Sequence, residues 1–485
     1  MKKLLPSKRL SSVALVIMLT GCVSQTALSP ELETIANVSW SEAVATHLEK
    51  DDAQVKDWLK NYSDDSLKLL VKEALINNHA LRAQYFATQQ TRTRLAISES
   101  TDWPSLSLNA SNSRRKTVSG EAESYSTSAS VNLQLSYELD IWGKLNSEQQ
   151  QALLSYSSAQ ANYLQTQLNT IANVTKQWYG VIEAHTLLAL YQDRARNLNQ
   201  NLAMIESSYQ LGLGRALDVY LTKNDVNREL ARIAEQEQVL GDRIRALSLT
   251  LGRYPTVDES LVKTELDLNS MVKTLSFDAL PSDVLKNRPD LQAAWFDLLA
   301  SDAGLAVAHK NRFPSLSISS SLSDSGEELT DLLSGNPLAW SLIGNITAPI
   351  FNAGRLASQE EQAKYQVQQK EALYLQKVHA AFSEVESTTS KQYVLNERYQ
   401  RFLEAEQNAL AAEKLSFEQY LKGLVTYTTV LESQRRAFDA QTTVIQLQHA
   451  MINNQISLLQ TLGGSPIALE QVAEEMSNEP SKRDE

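Results

Sequence analysis

The chain has 485 residues, a formal net charge of −12 and 42% hydrophobic residues, with only 16 glycines and 11 prolines. This composition favours a long, mostly helical chain, and the absence of a basic surplus excludes a nucleic-acid-binding surface. The single cysteine excludes a disulfide within one chain. The six histidines lack zinc-ligand spacing and no phosphate-binding glycine loop occurs. We therefore predict no catalytic site, no cofactor and no bound metal, and a protein that is not an enzyme.

Residues 1–21 have the pattern of a bacterial secretion signal, with basic residues, an apolar stretch and then Leu-Thr-Gly-Cys at residues 19–22. The tetrad resembles a lipobox, in which Cys22 would become the lipidated first residue of the mature chain. No Asp follows the cysteine to act as an inner-membrane retention signal, so we expect an outer-membrane destination. No later apolar run approaches the roughly 20 residues of a transmembrane helix, so any membrane crossing would need strands.

Residues 128–138 alternate strictly between polar and apolar side chains, for example Leu133 and Leu135 on either side of Gln134. A period of two predicts a strand with one apolar and one polar face. Aromatic residues at the strand ends fit the interfacial girdles of outer-membrane strands, although soluble hairpins with one face on a core would show the same alternation. Strands are predicted at about residues 105–113, 126–139, 315–323 and 339–350.

The same order of elements occurs twice in the sequence. Pro104 corresponds to Pro314, and Gly143 at one strand-to-helix turn corresponds to Gly354 at the other. Because chance similarity does not hold its register over so many residues, the pattern indicates an internal duplication. We predict a signal peptide (1–21), an N-terminal lipid-anchored segment (22–65), a first repeat (66–255), a linker (256–280), a second repeat (281–466) and a polar tail (467–485).

Four strands are too few to close a membrane barrel, because the smallest such barrels have about eight. An open sheet edge in lipid would leave backbone groups without hydrogen-bond partners. If these strands lie in a membrane, the chain must therefore form an oligomer. A trimer would supply twelve strands and a dimer eight, and strand counting alone allows both.

Each strand pair precedes a helix predicted over about 65 residues, 143–209 and 354–420, which corresponds to about 100 Å. A second helix follows each one, with apolar residues at heptad spacing that predict coiled-coil packing. The turns of these helical hairpins are predicted at residues 209–219 and 420–432, with Gly212 and Gly423 ending the long helices. The predicted seam of the first partner helix consists of Val226, Leu230, Ile233, Leu240, Ile244, Leu247 and Leu251.

The lipobox, the duplicated strand-strand-helix-helix unit, Asn-Arg-Pro-Asp-Leu at residues 287–291 and Pro-Ile-Phe-Asn-Ala-Gly-Arg-Leu at residues 349–356 resemble the TolC-like outer-membrane efflux proteins. The lipoprotein channels that serve RND pumps are the most similar subgroup. The resemblance implies a mixed α and β fold, in which a homotrimer forms a twelve-stranded outer-membrane β-barrel continuous with a periplasmic twelve-helix α-barrel. It implies the exit duct of a tripartite efflux pump, with a periplasmic adaptor (membrane fusion) protein and an inner-membrane RND-type transporter as partners.

The resemblance also implies a gate at the helical tips. Counted from the turn glycines, Asp218 matches the aspartate of the first tip, and Tyr420 matches the tyrosine that hydrogen-bonds to it in family members. Glu432 matches a gate carboxylate, and three copies around a narrow axis would repel one another and attract cations. Without the resemblance, a solvated helix glutamate is the simpler interpretation of Glu432.

Two positions depart from the family pattern at the second tip. Thr429 stands where some members carry a second gate aspartate, and Val425 stands where some carry a tip arginine. Arg215 of the first tip is the candidate to replace that arginine.

A different class of protein, a periplasmic adaptor or scaffold lipoprotein that forms no pore, also uses coiled-coil hairpins. Such a protein should carry one hairpin flanked by Gly-rich β domains. This sequence predicts two hairpins and two strand pairs, which favours the duct.

Overall fold

The computed structural model describes residues 64–258, 286–328, 330, 332 and 338–463. The predicted signal peptide, Cys22, most of the predicted linker and the polar tail lie outside these residues. Among the described residues, contacts divide the chain into one unit within 92–155 and 297–372 and a second within 64–91, 156–296 and 373–463. The elements are α1 (Asp65–Asn77), α2 (His79–Glu99), β1 (Ser105–Ser119), β2 (Ala122–Leu139), α3 (Lys144–Gln210), α4 (Ala216–Thr250), α5 (Pro289–Lys310), β3 (Ser315–Gly326), β4 (Ala339–Thr347), α6 (Arg355–Leu421) and α7 (Tyr427–Thr461).

The first unit contains one antiparallel sheet in the order β1-β2-β3-β4. The strands of the two repeats join in the middle of this sheet, where β2 pairs with β3 from Ala129 opposite Gly326 to Leu139 opposite Leu316. The outer edges of β1 and β4 have no strand beside them within the described chain. An edge of this kind presents unpaired backbone N–H and C=O groups.

The strand register separates apolar from polar side chains across the whole sheet. Leu108 lies opposite Leu133, which lies opposite Leu322, and Leu322 lies opposite Trp340. Because side chains alternate along each strand, these residues share one face, and Trp340 is 76% exposed there. The predicted two-faced strands are therefore confirmed, and much of the apolar face is exposed among the described residues, although Ala129 on that face is buried. The other face is mostly serine, asparagine and glutamine, with Ile343 as an apolar exception; it includes Ser107, Asn109, Asn132, Gln134, Ser136, Ser317, Ser321 and Asn345.

The first strand pair is longer than predicted, because the polar stretch expected to be a loop continues the ladder. Ser119 pairs with Ala122 across a two-residue turn that contains Gly120 at φ 62°. Cross-strand contacts stabilise this extension: Lys116 lies 2.6 Å from Glu123, and the Arg114 guanidinium stacks 5.2 Å from the Tyr125 ring centroid.

The last strand is shorter than predicted, since β4 ends at Thr347 rather than at residue 350. Pro349 follows closely and has no N–H to donate to a ladder.

Glycine forms both predicted strand-to-helix turns. Gly143 has φ 71° and Gly354 has φ 84°, a left-handed conformation that side chains disfavour. The Gly143 carbonyl oxygen accepts a hydrogen bond from Lys310 Nζ at 3.0 Å, which fastens the start of α3 to the end of α5. At the second turn, the Leu356 N–H donates to the Asn352 side chain at 3.4 Å.

The helical unit repeats itself in length and in detail. Helices α3 and α6 have 67 residues each, as predicted, and α4 and α7 have 35 each. Gly252 ends the first hairpin against Asn77, and Gly463 ends the second against Asn287, where an added Cβ would lie only 2.9 Å from the Asn287 carbonyl carbon. Both glycines have positive φ, which side chains disfavour. The absence of a side chain therefore permits both the backbone conformation and the close approach to the asparagine.

The largest core of this unit lies where the helices of the two repeats meet. It is built around Trp178, Tyr179, Ile244, Leu247 and Leu459, which are almost fully buried. The indole N–H of Trp178 donates to Asp64 at 2.6 Å, and the same carboxylate caps α1 by accepting from the N–H groups of Ser66 and Leu67.

Arginine side chains hold the repeat starts in this unit. Arg253 makes a bidentate pair with Glu73 at 2.5 and 2.6 Å. Arg288 contacts both Asp290 and Glu384 at 2.8 Å. Burial opposes ionisation of Asp290, but the hydrogen bonds and charge of Arg288 lower its pKa below the ordinary value. The Asn-Arg-Pro-Asp-Leu run thus has a structural role at the start of α5.

One part of the predicted seam is wrong. Leu230 is 50% exposed, and its neighbour Glu229 takes the buried position. Arg194 of α3 lies beside Glu229, so an ion pair replaces the apolar contact expected from heptad spacing. Val226, Leu240, Ile244, Leu247 and Leu251 are buried as predicted.

Within the described residues, no helix combines the length and the apolar character needed to cross a lipid bilayer.

The two kinds of glycine turn give a matched test of the fold. Gly252→Ala should destabilise the protein by at least about 3 kcal/mol, since the new Cβ meets the Asn77 backbone in addition to the strained positive φ. Gly212→Ala has the same φ problem but open space around it, and should cost about 1–2 kcal/mol. Chemical denaturation of both variants checks the difference. Equal losses would show that the Asn77 contact does not constrain the fold.

Candidate functional site

Both helical hairpins turn through the same backbone motif. At the first turn, the Leu213 N–H donates to the Ser208 carbonyl oxygen and the Gly212 N–H donates to the Tyr209 carbonyl oxygen, both at 2.9 Å. Leu424 and Gly423 repeat the pattern at the second turn, at 2.9 and 2.8 Å. This is a Schellman motif, which requires a left-handed residue at its glycine position. The turns at Gly212 and Gly423 are therefore placed as predicted.

The ends of the two hairpins share a small apolar core. Ile205 of α3, Val219 of α4, and Tyr427 and Val430 of α7 are buried together, with Tyr420 of α6 packed against them. The rings of Tyr420 and Tyr427 lie 5.3 Å apart. Burial raises the pKa of Tyr427 to about 12. All four long helices thus contribute to one contact at the tips.

Asp218 and Tyr420, which the sequence analysis paired, lie close together in this region. Asp218 is buried, and its carboxylate oxygen lies 3.4 Å from an exposed Arg215 guanidinium nitrogen. Burial raises the pKa of Tyr420, and the nearby negative charge of Asp218 raises it further. The direct contact that the structure gives Asp218 is thus with Arg215, and the influence of its charge on Tyr420 is electrostatic.

Thr429 takes no part in that cluster. It is exposed in the first turn of α7, and its hydroxyl oxygen lies 3.2 Å from that of Thr426. A hydroxyl at this position carries no charge, so it cannot repeat the role of the aspartate that some family members have here.

Glu432 is paired with two arginines of its own helix. Arg435 Nη2 lies 3.0 and 2.9 Å from its two carboxylate oxygens, and Arg436 Nε lies 2.9 Å from one of them. Hydrogen bonds from Arg436 and then Arg435 lower the pKa of Glu432. The carboxylate is therefore ionised and neutralised locally, which differs from the free acidic charge that sequence reasoning assumed. The Glu-x-x-Arg-Arg spacing in the sequence could have indicated these ion pairs, because residues three and four apart are neighbours on a helix.

A buried charge cluster beside the tips was missed from the sequence. Arg194 Nε lies 3.3 Å from Glu229 Oε2, and the Glu229 side chain is only 2% exposed. Arg194 also stacks 3.9 Å above the Phe438 ring centroid, so α3 and α4 of the first hairpin contact α7 of the second. Burial raises the pKa of Glu229 and lowers that of Arg194, each partly offset by the partner's charge.

This cluster borders a cavity of about 290 Å³ whose lining is rich in charge. Arg194 Nη1 and Glu229 Oε1 are buried without a hydrogen-bond partner in the part of the chain that the structure describes. Such groups are costly unless water or another polar group meets them. The charged lining residues are Arg194, Asp225, Arg228, Glu229, Arg232, Glu432, Arg435 and Asp439.

Apolar side chains also project from the tips themselves. Leu211 is 74% exposed and Leu213 is 83% exposed around the first turn, and Leu424 is 71% exposed at the second. Clustered exposed leucines of this kind mark protein contact surfaces more often than isolated ones do.

The buried pair gives a pH-dependent prediction. Arg194→Met should destabilise the protein by about 2–4 kcal/mol near neutral pH, because it strands the Glu229 carboxylate in the interior. Because burial raises the pKa of Glu229 in the folded state, its carboxylate takes up a proton more readily there than in the unfolded chain. The stability lost in Arg194→Met should therefore shrink as the pH falls from about 8 to about 5. Adding Glu229→Gln should recover most of the stability. Denaturation midpoints of the parent protein, the single variant and the double variant across this pH range test these expectations. A pH-independent loss would contradict the role of Glu229, and Arg401→Gln at an exposed pair is the control.

The family profile described as outer membrane efflux protein matches residues 70–253 and, a second time, residues 280–464. The solved structure of the outer-membrane channel OprN superposes with a TM-score of 0.81 at 22% identity, and the match covers 88% of this chain and 96% of OprN. At that identity the likeness shows the fold, and it agrees with the predicted mixed α and β class.

Two curated relatives match over most of their length. The probable outer membrane lipoprotein SilC of Salmonella typhimurium is 27% identical over 472 residues, covering 94% of this chain and 98% of SilC. The cation efflux system protein CusC of Escherichia coli K12 is 27% identical over 418 residues, covering 85% of this chain and 90% of CusC. Because the family profile matches both repeats and together covers most of the sequence, the chain belongs to the outer membrane efflux protein family.

Proposed function

We propose that this outer membrane efflux protein is the exit channel of a tripartite pump and works as a homotrimer. In this arrangement three four-stranded sheets form a twelve-stranded β-barrel, and three pairs of helical hairpins form a periplasmic barrel of twelve helices. The channel conducts its cargo passively, and the pump supplies the energy. The family consists of efflux proteins and not of enzymes, so the chemistry to explain is passage rather than catalysis.

The observation that carries this proposal is the two-faced sheet with two open edges. Leu106, Leu108 and Leu342 are exposed on its apolar face, and the opposite face is lined by serines and amides. An apolar outside and a polar inside are the two surfaces of a membrane barrel that holds water. Further copies of the chain would satisfy the backbone groups of β1 and β4, which lipid cannot do.

The proposed partners follow from the exposed side chains of the tips and from the predicted lipid anchor. We propose that the tip leucines Leu211, Leu213 and Leu424 dock a periplasmic adaptor protein, which connects the channel to an inner-membrane RND-type transporter. We further propose that Cys22, outside the described residues, carries the lipid anchor in the outer membrane. The names of SilC and CusC concern those proteins, and the cargo of this chain is selected mainly at the pump.

The gate is assigned to the shared core of the tips. Asp218 and Arg215 pair within the first hairpin, and Tyr420 of the second hairpin packs against the shared core. Glu432 and Thr429 lie on the first turns of α7. A channel that must stay closed without its pump needs a contact that can separate without unfolding the helices. The small core at Tyr427 and Val430 is such a contact, because only the last turns of each helix take part.

Paired lysine substitutions on adjacent strand residues test the barrel. Leu108→Lys places a charge on the apolar face and should cost about 2–4 kcal/mol at the centre of a bilayer, so the yield of membrane-inserted oligomer should fall. Asn109→Lys, one residue along on the polar face, should insert normally. Heat-modifiable mobility of outer-membrane fractions and native mass spectrometry of detergent extracts measure insertion and copy number. Equal tolerance at both positions, with a monomeric extract, would favour the pore-free scaffold, and two copies would favour the eight-stranded dimer.

A second pair of variants tests the gate. Asp218→Ala removes the buried carboxylate beside Arg215 and Tyr420 and should raise the frequency of open events in planar bilayers by about tenfold, as expected for a loss of roughly 1.4 kcal/mol in the closed state. Tyr220→Ala, two residues along α4 and 72% exposed, is the control. Unchanged gating in Asp218→Ala, with the oligomer intact, would remove Asp218 from the gate.

A further inference from the structure

The turn end of the first strand pair carries a group of exposed basic side chains. Arg114, Arg115 and Lys116 follow one another on β1, close to the turn that joins β1 to β2. Because α2 leads into β1 and β2 leads into α3, this turn lies at the end of the strand pair opposite the helices. The proposed function puts the helices in the periplasm, so the turn lies on the outer side of the membrane.

Side-chain alternation divides these basic residues between the two faces of the sheet. Arg114 and Lys116 lie on the apolar face, in line with Leu106 and Leu108. Arg115 lies between them on the face of serines and amides. In the proposed barrel, Arg114 and Lys116 therefore face lipid, and Arg115 faces the interior.

Two tyrosines on the apolar face of β2 indicate where the lipid headgroups would begin. The stretch of β2 from Tyr125 to Tyr137 corresponds to about 40 Å of strand, or about 30 Å of membrane depth at a tilt of about 40°. This depth equals that of the hydrocarbon core of a bilayer, and aromatic residues are enriched at its two boundaries. Lys116 lies directly opposite Tyr125, which places it at the outer boundary.

The two basic side chains on this face extend toward the turn. The Arg114 guanidinium lies 5.2 Å and the Lys116 ammonium 5.7 Å from the Tyr125 ring centroid. Arg114 pairs with Thr127, which is farther from the turn than Tyr125, so the Arg114 side chain reaches outward to meet the ring. Long basic side chains at the end of an apolar surface reach toward the headgroups in this way.

The acidic residues of the strand pair neutralise only part of this charge. Glu123 lies 2.6 Å from Lys116, and both side chains are about half exposed, so this ion pair is weak. Arg114 makes no ion pair with any described residue. Glu121 lies in the turn itself. The apolar face of the pair thus ends in two cations and one carboxylate.

Other carboxylates lie farther from β1. Asp324 of β3 is buried opposite Val131, and Glu327 and Glu328 come directly after β3. Strand β3 is two strand spacings, about 10 Å, from β1, which exceeds the Debye length of about 8 Å at physiological salt. On the open side of β1, the proposed oligomer would place β4 of another copy, and β4 has no charged side chain. These neighbours leave the local positive charge on β1 in place.

We propose that Arg114 and Lys116 bind the phosphate groups of lipid headgroups in the outer leaflet around the channel, with Tyr125 holding both cations at the membrane boundary. This inference rests on the proposed barrel and names the class of lipid that contacts its outer rim. A guanidinium group binds phosphate through two parallel hydrogen bonds, and each basic residue near an anionic membrane surface favours association. Zwitterionic headgroups have no net charge, so anionic phosphorylated lipids should be preferred.

Lipid binding to the full-length channel, purified as an oligomer in detergent, tests the inference. The probe is lipid A, a glycolipid with two phosphates, titrated at about 0.15 M salt and counted by native mass spectrometry. Arg114→Gln should weaken the apparent affinity for lipid A by about fivefold, and its combination with Lys116→Gln by about tenfold or more. Arg115→Gln removes the same charge from the opposite face and should leave the affinity within about twofold.

Three further comparisons separate phosphate binding from a purely structural role. Arg114→Lys keeps the charge and should retain most of the affinity. Glu123→Gln leaves the basic side chains in place, frees Lys116 from its ion pair and should strengthen binding. Lipid A without its phosphates should bind weakly, and inorganic pyrophosphate should compete poorly with lipid A because it lacks the acyl chains that would contact the apolar face.

Several results would overturn the lipid assignment. Equal affinities for lipid A with and without phosphates would do so, as would equal losses in Arg114→Gln and Arg115→Gln or an unchanged affinity in Glu123→Gln. Full competition by pyrophosphate at the same concentration would identify a site for free phosphate instead of lipid. Oligomer mass and heat-modifiable mobility verify that each variant is folded. A parent protein that stays monomeric and does not insert would contradict the proposed function, whereas an inserted oligomer that ignores the lipid phosphates would contradict only this inference.

Discussion

The backbone hydrogen bonds of one small sheet constrain everything else in this protein. Within the described residues, β1 and β4 each leave one edge of the sheet unpaired, and the register places most apolar side chains of the four strands on one face. Neither water nor lipid alone suits such a sheet, because water disfavours the apolar face and lipid disfavours the open edges. The assembly that we propose, with several copies and the apolar face toward lipid, would satisfy both requirements.

The duplication determines how the helices are held. Each 67-residue helix turns at a Schellman glycine and returns through a 35-residue partner that ends where a second glycine approaches an asparagine backbone. Gly252 and Gly463 directly follow Leu251 and Leu462, which belong to the main core. The core at the tips contains fewer residues. Stability is thus concentrated away from the tips, and the tips can rearrange at low cost.

The charged pairs also differ between the repeat starts and the tips. Arg253, Arg288 and their carboxylate partners fasten the repeat starts with short contacts. Near the tips, by contrast, Glu229 is buried with a raised pKa and Glu432 is partly exposed with a lowered one, although both are helix glutamates beside arginines. Burial penalises the charged form of Glu229, whereas Glu432 is exposed and accepts hydrogen bonds from Arg436 and Arg435.

The sequence by itself determined the two-faced strands, the duplication, the lengths of the long helices and the turns at Gly143, Gly212, Gly354 and Gly423. These features are local, because periodicity and glycine requirements act within a few residues. Heptad spacing predicted most of the seam but could not place Glu229 inside and Leu230 outside, since Arg194 lies 35 positions away in the sequence. Only the tertiary structure joined β2 to β3, extended β1 beyond its predicted end and brought the four helix ends together at Tyr427. Those outcomes depend on which distant side chains meet, and a one-dimensional pattern carries no such information.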